Sequence, residues 1–275
     1  MSNGKVILYA SEQTGENLPG YVQFALKHLA ETDFTVVLLT NKRPLSAETM
    51  KFLEDNEIKL YLTEGPEHAF AMWRSFLKDL ANGRSSLVEF NNITRLLLVN
   101  DSIVYFQNNF DKFIRHAESN PADAISLTQS DEIRPHLQSF FLYLKQEALG
   151  AFYLQLLETP ERIPSKERPS IEEIYTDREI SLARAFDEAE VQTASLYSTQ
   201  QNDLSVATGL IAQGGFIRYQ LLQKKFSNYR KQVLDAGLAE DFDEEWLPKP
   251  IGYAAIQVID RLRRAAAKVF PHKAD

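Results

Sequence analysis

Asn100, Asp101 and Ser102 stand directly after the apolar run Leu96 to Val99, and that position gives the trio its chemical interest. A run so short makes no useful helix. Followed at once by turn-forming polar residues, it reads as a buried parallel strand ending at the edge of a sheet. Ligands of open α/β sheets bind in the crevice beyond the carboxyl ends of the strands, so Asp101 is placed to meet a ligand or its metal ion. The same three residues would equally form a plain strand-to-loop turn, since Asn, Asp and Ser side chains bond readily to nearby backbone.

A second wall for such a site is offered by the polar stretch Thr128 to His136, which holds Gln129, Asp131, Glu132, Arg134 and His136. It is long for a simple connection and rich in groups that ionise or donate hydrogen bonds, although a solvated loop has the same composition. Farther on, Ser170-Ile171-Glu172-Glu173 resembles a helix start, with acidic residues at its positive end. Glu179 falls within that helix, which is predicted to run to about Glu188, and faces either the sheet edge or water.

These groups need a scaffold, and the apolar pattern supplies one. Val6 to Tyr9 reads as a strand, and Glu12 to Gly20 as a polar, glycine-bearing loop returning over the sheet edge. Pro19 opens a helix whose buried stripe is Tyr21, Phe24, Ala25, Leu26 and Leu29, before the strand Thr35 to Leu39. The β-α-β unit repeats through a helix at Ser46 to Glu54, with Ser46 as N-cap, and the strand Ile58 to Leu62. Then come a turn at Glu64 to Glu67, a helix from about His68 to Leu80 with an aromatic core face, a helix near Phe110 to Glu118 and a strand Ala124 to Leu127.

Beyond these, Ser139 to Leu144 is another apolar run, Leu149 to Leu157 is helical in pattern, and Glu158 to Ser170 is a proline-bearing exposed loop. Leu204 to Ile211 and Phe216 to Val233 are predicted helical, broken at Gly214-Gly215. The fold class expected is α/β, a Rossmann-like and mostly parallel sheet. Residues 1–200 form its main domain, and residues 201–275 a helical C-terminal extension packed on it.

Composition narrows the function. The formal charge of −8 argues against nucleic acid as a partner, because phosphate binding needs concentrated Lys and Arg. With no cysteine there is no disulfide framework, thiolate zinc site or thiol nucleophile. No apolar run reaches the roughly 20 residues that span a bilayer, and the amino terminus lacks the apolar core of a signal peptide, so a cytoplasmic protein is expected. The closing segment Ile251 to Phe270 alternates apolar residues with Arg261, Arg263, Arg264 and Lys268. It is either a surface helix of the domain or a basic amphipathic helix for peripheral contact with an anionic membrane. Dinucleotide, P-loop, zinc-protease and nucleophile-elbow motifs are absent from the sequence.

Several stretches in order resemble the rhamnan synthesis protein F family, glycosyltransferase-like proteins of bacterial polysaccharide and lipopolysaccharide assembly. They are Leu97 to Ser102, a strand followed by Asn-Asp-Ser; His136 to Phe141, a His-X-Gln-Ser-aromatic stretch; and Leu210 to Arg218, a Leu-Ile-X-X-Gly-X-Phe-X-basic stretch. Leu18 to Tyr21 and Glu179 to Leu182 match more weakly. The likeness spans roughly Val6 to Leu222.

The resemblance implies a glycosyltransferase A type fold and transfer of a deoxyhexose, rhamnose above all, from a nucleotide diphosphate sugar to a glycan or lipid-linked acceptor. It implies donor contacts from Asn100, Asp101, Ser102, Glu67, His136 and Gln138. It also implies a divalent cation, Mn²⁺ or Mg²⁺, held against the diphosphate by Asp101, where a hard cation stabilises the leaving group. For an inverting displacement the general base is expected among Asp131, Glu132 and Glu179, with Asp131 favoured because its loop lies nearer the acceptor side. The sequence departs from the family after the third strand, where members usually carry Gly-X-Asp-X-Gly. Here the run is Glu67-His68-Ala69-Phe70-Ala71, with Ala69 at the Asp position: either Glu67 or His68 replaces its hydrogen bonds, or the donor is a different one, or activity is lost, in which case the alternative is a non-catalytic subunit that binds glycan or a partner.

Overall fold

Apolar strands separated by helical stretches dictate a layered architecture, and the computed structural model has one. It describes residues 4–65, 68–131, 133–158, 171–197, 210–224 and 226–249. Four strands, β1 (Lys5–Ser11), β2 (Thr35–Asn41), β3 (Lys59–Thr63) and β4 (Arg95–Asn100), lie parallel. The helices α1 (Gly20–Ala30), α2 (Ala47–Asp55) and α3 (Ala69–Ala81) connect them in turn. Ser46 caps α2 as expected, its Oγ accepting from the Thr49 amide at 3.1 Å.

After β4 come the short strand β5 (Ile103–Tyr105), α4 (Phe110–Ser119), β6 (Ala124–Ser130), β7 (His136–Leu137) and β8 (Phe141–Lys145). Then follow α5 (Gln146–Glu158), α6 (Ile171–Glu188), β9 (Thr193–Tyr197), β10 (Phe216–Arg218), α7 (Tyr219–Lys224) and α8 (Phe226–Ala236). The main sheet has the order β3-β2-β1-β4-β8-β6-β7, with β9 also pairing β6. Strand β8 runs antiparallel between β4 and β6, whereas β9 lies parallel to β6. The fold is therefore mixed α/β with a mostly parallel central sheet. A separate two-stranded ribbon joins β10 to β5.

Because strand side chains alternate, the sheet sorts its residues into two cores. Ile7, Tyr9, Leu38, Leu97 and Val99 face α1 and α4, while Val6, Leu8, Leu39, Leu96 and Leu98 face α3, α5 and α6. Each fully buried Leu or Phe in these layers stabilises the fold by roughly 1.5–3 kcal/mol relative to exposure. Ile211, Phe216, Leu222, Tyr229, Val233, Phe242 and Leu247 join the α1-side core, so the later part of the chain shares it.

Three expectations are corrected. Phe216 to Arg218 is a strand, not the start of a helix, because its partner β5 offers an edge just past β4. Thr128 to His136 is not one loop: β6 continues to Ser130 and pairs with β7, leaving 131–135 as a hairpin connection. Thr193 to Tyr197, read as no element, completes the sheet beside β6. The expected boundary at 200–201, much of the loop Glu158–Ser170, the start of the Leu204–Ile211 helix and the segment Ile251–Phe270 lie outside the described residues.

The segment after α8 crosses back over α1. The amide of Ala239 donates to the Phe106 carbonyl at 2.8 Å, and Phe242 packs edge-on against Phe24 at 5.0 Å. Trp246 rests on Gly20, where a side chain would collide with the indole. Asp241 faces Lys27 at 2.6 Å and His28 at 3.1 Å, and the other ring nitrogen of His28 is 2.7 Å from Glu31.

Candidate active site

The carboxyl ends of β1 and β4 lie side by side, with Ala10 opposite Asn100. Asn100 and Ser102 behave as a turn would: Asn100 Oδ1 accepts from the Ser102 amide at 3.1 Å and from the Ser102 hydroxyl. Asp101 does something else. Its Oδ2 accepts from Ser11 Oγ at 2.9 Å, the Glu12 amide at 3.1 Å and Gln13 Nε2 at 3.0 Å. The Tyr21 hydroxyl accepts from the same Gln13 amide and donates to the Asp101 carbonyl. The turn reading therefore describes Asn100 and Ser102, while Asp101 is held by the loop that follows β1.

Asp101 is only 7% exposed. Burial raises its pKa to about 6; the bonds from Gln13, Ser11 and the Glu12 amide pull the other way, while the charge of Glu12 adds to the rise. Burial also raises the phenol pKa of Tyr9, Tyr21 and Tyr219, each with help from the Asp101 charge, so these hydroxyls remain protonated donors.

The loop from Glu12 to Pro19 is fastened on all sides. Glu12 Oε1 accepts from the Ala69 amide at the start of α3, Arg43 Nε donates to the Gly15 carbonyl, and the Ser46 amide donates to the Glu16 carbonyl. Ala69 is fully buried, and its amide is taken by Glu12 where the related pattern would carry Asp. His68 precedes α3, and burial, with the charge of Arg178, lowers its pKa to about 4, so it is neutral near pH 7. Glu67 lies outside the described residues.

A second cluster is built on the turn before β8. Glu179, 9% exposed, faces the sheet, and its Oε1 accepts from both the amide and the hydroxyl of Ser139 at 2.7 Å. Its Oε2 is 3.5 Å from His136 Nε2, while His136 Nδ1 is 2.8 Å from the Arg134 carbonyl. A carbonyl only accepts, so Nδ1 carries a proton, and the Nε2 to carboxylate approach is favourable when a further proton sits between them. Gln138 Oε1 accepts from Thr128 Oγ1 at 2.6 Å and helps hold β6 to this turn.

The two clusters touch through Phe140, whose carbonyl accepts from the Asn100 amide and the Tyr105 hydroxyl, each at 3.4 Å. From the other side the Tyr219 amide donates to the Ser102 carbonyl at 2.8 Å, and its ring lies 5.5 Å from that of Tyr21. Asn100, Asp101, Ser102, His136, Gln138 and Glu179 are therefore brought to one end of the sheet. Asp131 is not among them: it is exposed on the β6–β7 connection, beside Ile133, which is 78% exposed with φ +69°. Glu132 lies outside the described residues.

Sequence reasoning missed Ser11, Gln13, Tyr21, Arg43 and Ser139. The available signal was the polar loop entering straight after the first strand, the place where such sheets meet ligands. A groove beside α2, lined by Met50, Leu53, Ile58 and Leu60 together with Lys51 and Glu54, includes none of Ser11, Gln13, Tyr21, Arg43 and Ser139.

Among the described residues no group of three or more His, Asp or Glu side chains converges to hold a divalent cation. All three bonds to Asp101 fall on Oδ2, which leaves Oδ1 for a ligand. This set fits a cation that arrives with diphosphate oxygens and water and takes Asp101 as its protein ligand, a common arrangement for Mg²⁺.

No family model matches the sequence, and no curated protein matches it. Among solved structures, the chain is similar to a candidate nucleotide-diphospho-sugar transferase from Desulfovibrio desulfuricans G20, at 10% identity and TM-score 0.45, covering 87% of this chain and 100% of that one. It is similar to a cytidylyltransferase from Leptospira borgpetersenii serovar Hardjo-bovis, at 10% identity and TM-score 0.42, over 83% and 95% of the two chains. It is also similar to the mannosyltransferase PcManGT from Pyrobaculum calidifontis, solved with GDP-Man and Mn²⁺, at 11% identity and TM-score 0.44, over 84% and 68%.

Proposed function

We propose that the chain is a glycosyltransferase that moves a deoxyhexose, rhamnose in the first instance, from a nucleotide diphosphate sugar to a bacterial cell-surface polysaccharide. One observation carries the reading. The three stretches that resemble the rhamnan synthesis family are far apart in sequence, yet they meet around Asn100–Ser102: Phe140 touches Asn100, β10 pairs β5, and Tyr219 bonds Ser102. The carboxyl end of a parallel sheet, here carrying a held carboxylate, is where a donor's phosphates would be received.

In this reading Asp101, oriented by Ser11 and Gln13, would hold the cation that comes with the donor, and that cation would supply charge stabilisation to the departing diphosphate. The acceptor oxygen attacks the anomeric carbon, the bond from that carbon to the diphosphate oxygen breaks, and the electron pair leaves with the nucleoside diphosphate. With inversion, the acceptor proton passes to a carboxylate on the opposite face; for Asp131 to take it, the exposed β6–β7 connection has to move over the bound acceptor. Glu179 is spent on Ser139 and serves to hold the turn. The acceptor is a glycan or lipid-linked glycan, and the chain works in the cytoplasm, where the basic segment Ile251–Phe270 serves either as a surface helix of the domain or as a peripheral contact with the inner membrane face. Among the described residues no helix is long and apolar enough to cross a membrane.

Release of nucleoside diphosphate from dTDP-, GDP- and UDP-linked sugars, with Mn²⁺ or Mg²⁺, tests the reading. Turnover in the wild type that falls sharply in Asp101→Ala is expected. A second reading is a non-catalytic glycan- or partner-binding subunit, favoured by Ala69, whose buried amide is already occupied by Glu12. Glycan binding with no consumption of any donor would select it. Unchanged vesicle co-sedimentation after truncation at Pro248 would remove the membrane assignment.

A further inference from the structure

Arg43 follows β2 at the same end of the sheet, and its guanidinium is gripped from several directions. Nε donates to the Gly15 carbonyl at 2.7 Å, and Nη1 to the Asn41 carbonyl at 3.3 Å and to Thr40 Oγ1. Every one of these acceptors is neutral. Nη2 is buried with no partner. The charge that favours the cation is that of Asp101, while burial works against it and lowers its pKa. The half-buried guanidinium thus has one N–H group, Nη2, cut off from water without an acceptor, a cost that a bound anion would remove.

Tyr9 repeats the pattern nearby. It is fully buried two residues before Ser11 on the α1 face, and its hydroxyl has no partner. Thr40 stands opposite Ser11 in the β1–β2 register, so Arg43, folded back onto Thr40, lies beside the loop that caps Asp101. Arg43 is bonded to the cover of this sheet end, residues 12–18, whose stretch Thr14 to Asn17 is exposed. Opening this cover breaks its bonds to Arg43, Ser46 and Ala69, so it calls for a ligand that replaces them.

We infer that Arg43 is the anion-binding group of this crevice, covered by the loop 12–18, and that its ligand is the diphosphate of the donor. The inference rests on the transferase reading and specifies its donor subsite. A planar fork of N–H donors matches two phosphate oxygens at once, which Lys, a point charge, does not. On binding, a phosphate oxygen takes the place of the Gly15 carbonyl, so donor entry and loop opening are one event. Arg43 then offsets the repulsion between the diphosphate and Asp101.

Isothermal titration with UDP, GDP, CDP and dTDP, each against its monophosphate, tests this on the wild type, Arg43→Gln and Arg43→Lys. Arg43→Gln is expected to weaken the best nucleoside diphosphate by about ten- to a hundredfold and the monophosphate less, with Arg43→Lys intermediate. Hydrogen exchange across 12–18 should rise in ligand-free Arg43→Gln, which has lost the Gly15 fastening. Diphosphate affinity within twofold of wild type in Arg43→Gln overturns the inference and leaves the transferase reading standing. If that variant fails to fold, unchanged affinity in Arg43→Lys overturns it equally. A wild type that binds no nucleoside diphosphate removes both.

Discussion

Ser11 donates its hydroxyl proton to Asp101 across the join between β1 and β4, at 2.9 Å, and so binds the loop after the first strand to the end of the fourth. The carboxylate pays for this position in solvation: its pKa stands at about 6 against an ordinary 3.8. Between those values the folded protein holds a proton that the unfolded chain has released. Stability due to this group is therefore highest below about pH 4, falls as pH rises towards 6, and stays low above it. At about 1.4 kcal/mol per pH unit the penalty is about 2–3 kcal/mol.

Asp101→Asn keeps an acceptor oxygen for Ser11, Glu12 and Gln13 without the buried charge. It is expected to raise stability at pH 7.5 by an amount of that order and to flatten the slope between pH 4 and 6. Urea denaturation at a series of pH values reads both effects. A variant that keeps the wild-type slope would show that the charge of Asp101 is not what burial penalises.

Much of this arrangement is legible in the sequence. The alternation of apolar strands and helices fixed β1 to β4 in parallel, and with them the location of Asp101, because β-α-β periodicity is local and strong. The two-stranded ribbon was not legible. Ile103 to Tyr105 and Phe216 to Arg218 are three residues each, and each is a strand only because the other lies beside it. Glu179 was ambiguous for a similar reason: its burial depends on Ser139 and His136, which no helical period reveals. Arg43 gave no signal, since its importance lies in a bond it lacks.

Gly20 opens α1 under the indole of Trp246, with no room for a β-carbon. Gly20→Ala should lift the segment 238–247 from α1 and destabilise the protein by about 1–3 kcal/mol, the usual cost of overpacking. Tryptophan fluorescence and thermal unfolding would register it, and Gly20→Ala with Trp246→Ala should recover part of the loss. An additive pair of losses would contradict the contact as the cause.

Asp131 is exposed on the β6–β7 connection, apart from the Asp101 and Glu179 clusters, so its removal has no folded-state penalty to confuse the kinetics. If it takes the acceptor proton, Asp131→Asn should leave the melting temperature within about 2 °C, since surface changes away from special contacts stay within roughly 0.5 kcal/mol. Transfer should fall by about 10²–10⁴-fold, the range of general base catalysis, with donor affinity unchanged. Wild-type transfer rates in this variant would remove Asp131 from the mechanism.

Glu179 joins α6 to the turn at Ser139, and that turn's next residue, Phe140, accepts from the Asn100 amide. The carboxylate therefore acts on the site at one remove, by fixing backbone. Glu179→Ala leaves the Ser139 amide and hydroxyl buried without an acceptor and strips His136 of its facing carboxylate, so a loss of about 3–5 kcal/mol is expected. Glu179→Gln retains a carbonyl oxygen for Ser139 and should lose far less. Because the turn orients Asn100 rather than touching the reacting atoms, the Gln variant should retain most of its turnover, with any change falling on donor affinity. Guanidinium unfolding alongside donor titration separates the two, and a Gln variant with intact affinity but abolished turnover would return Glu179 to the role of general base.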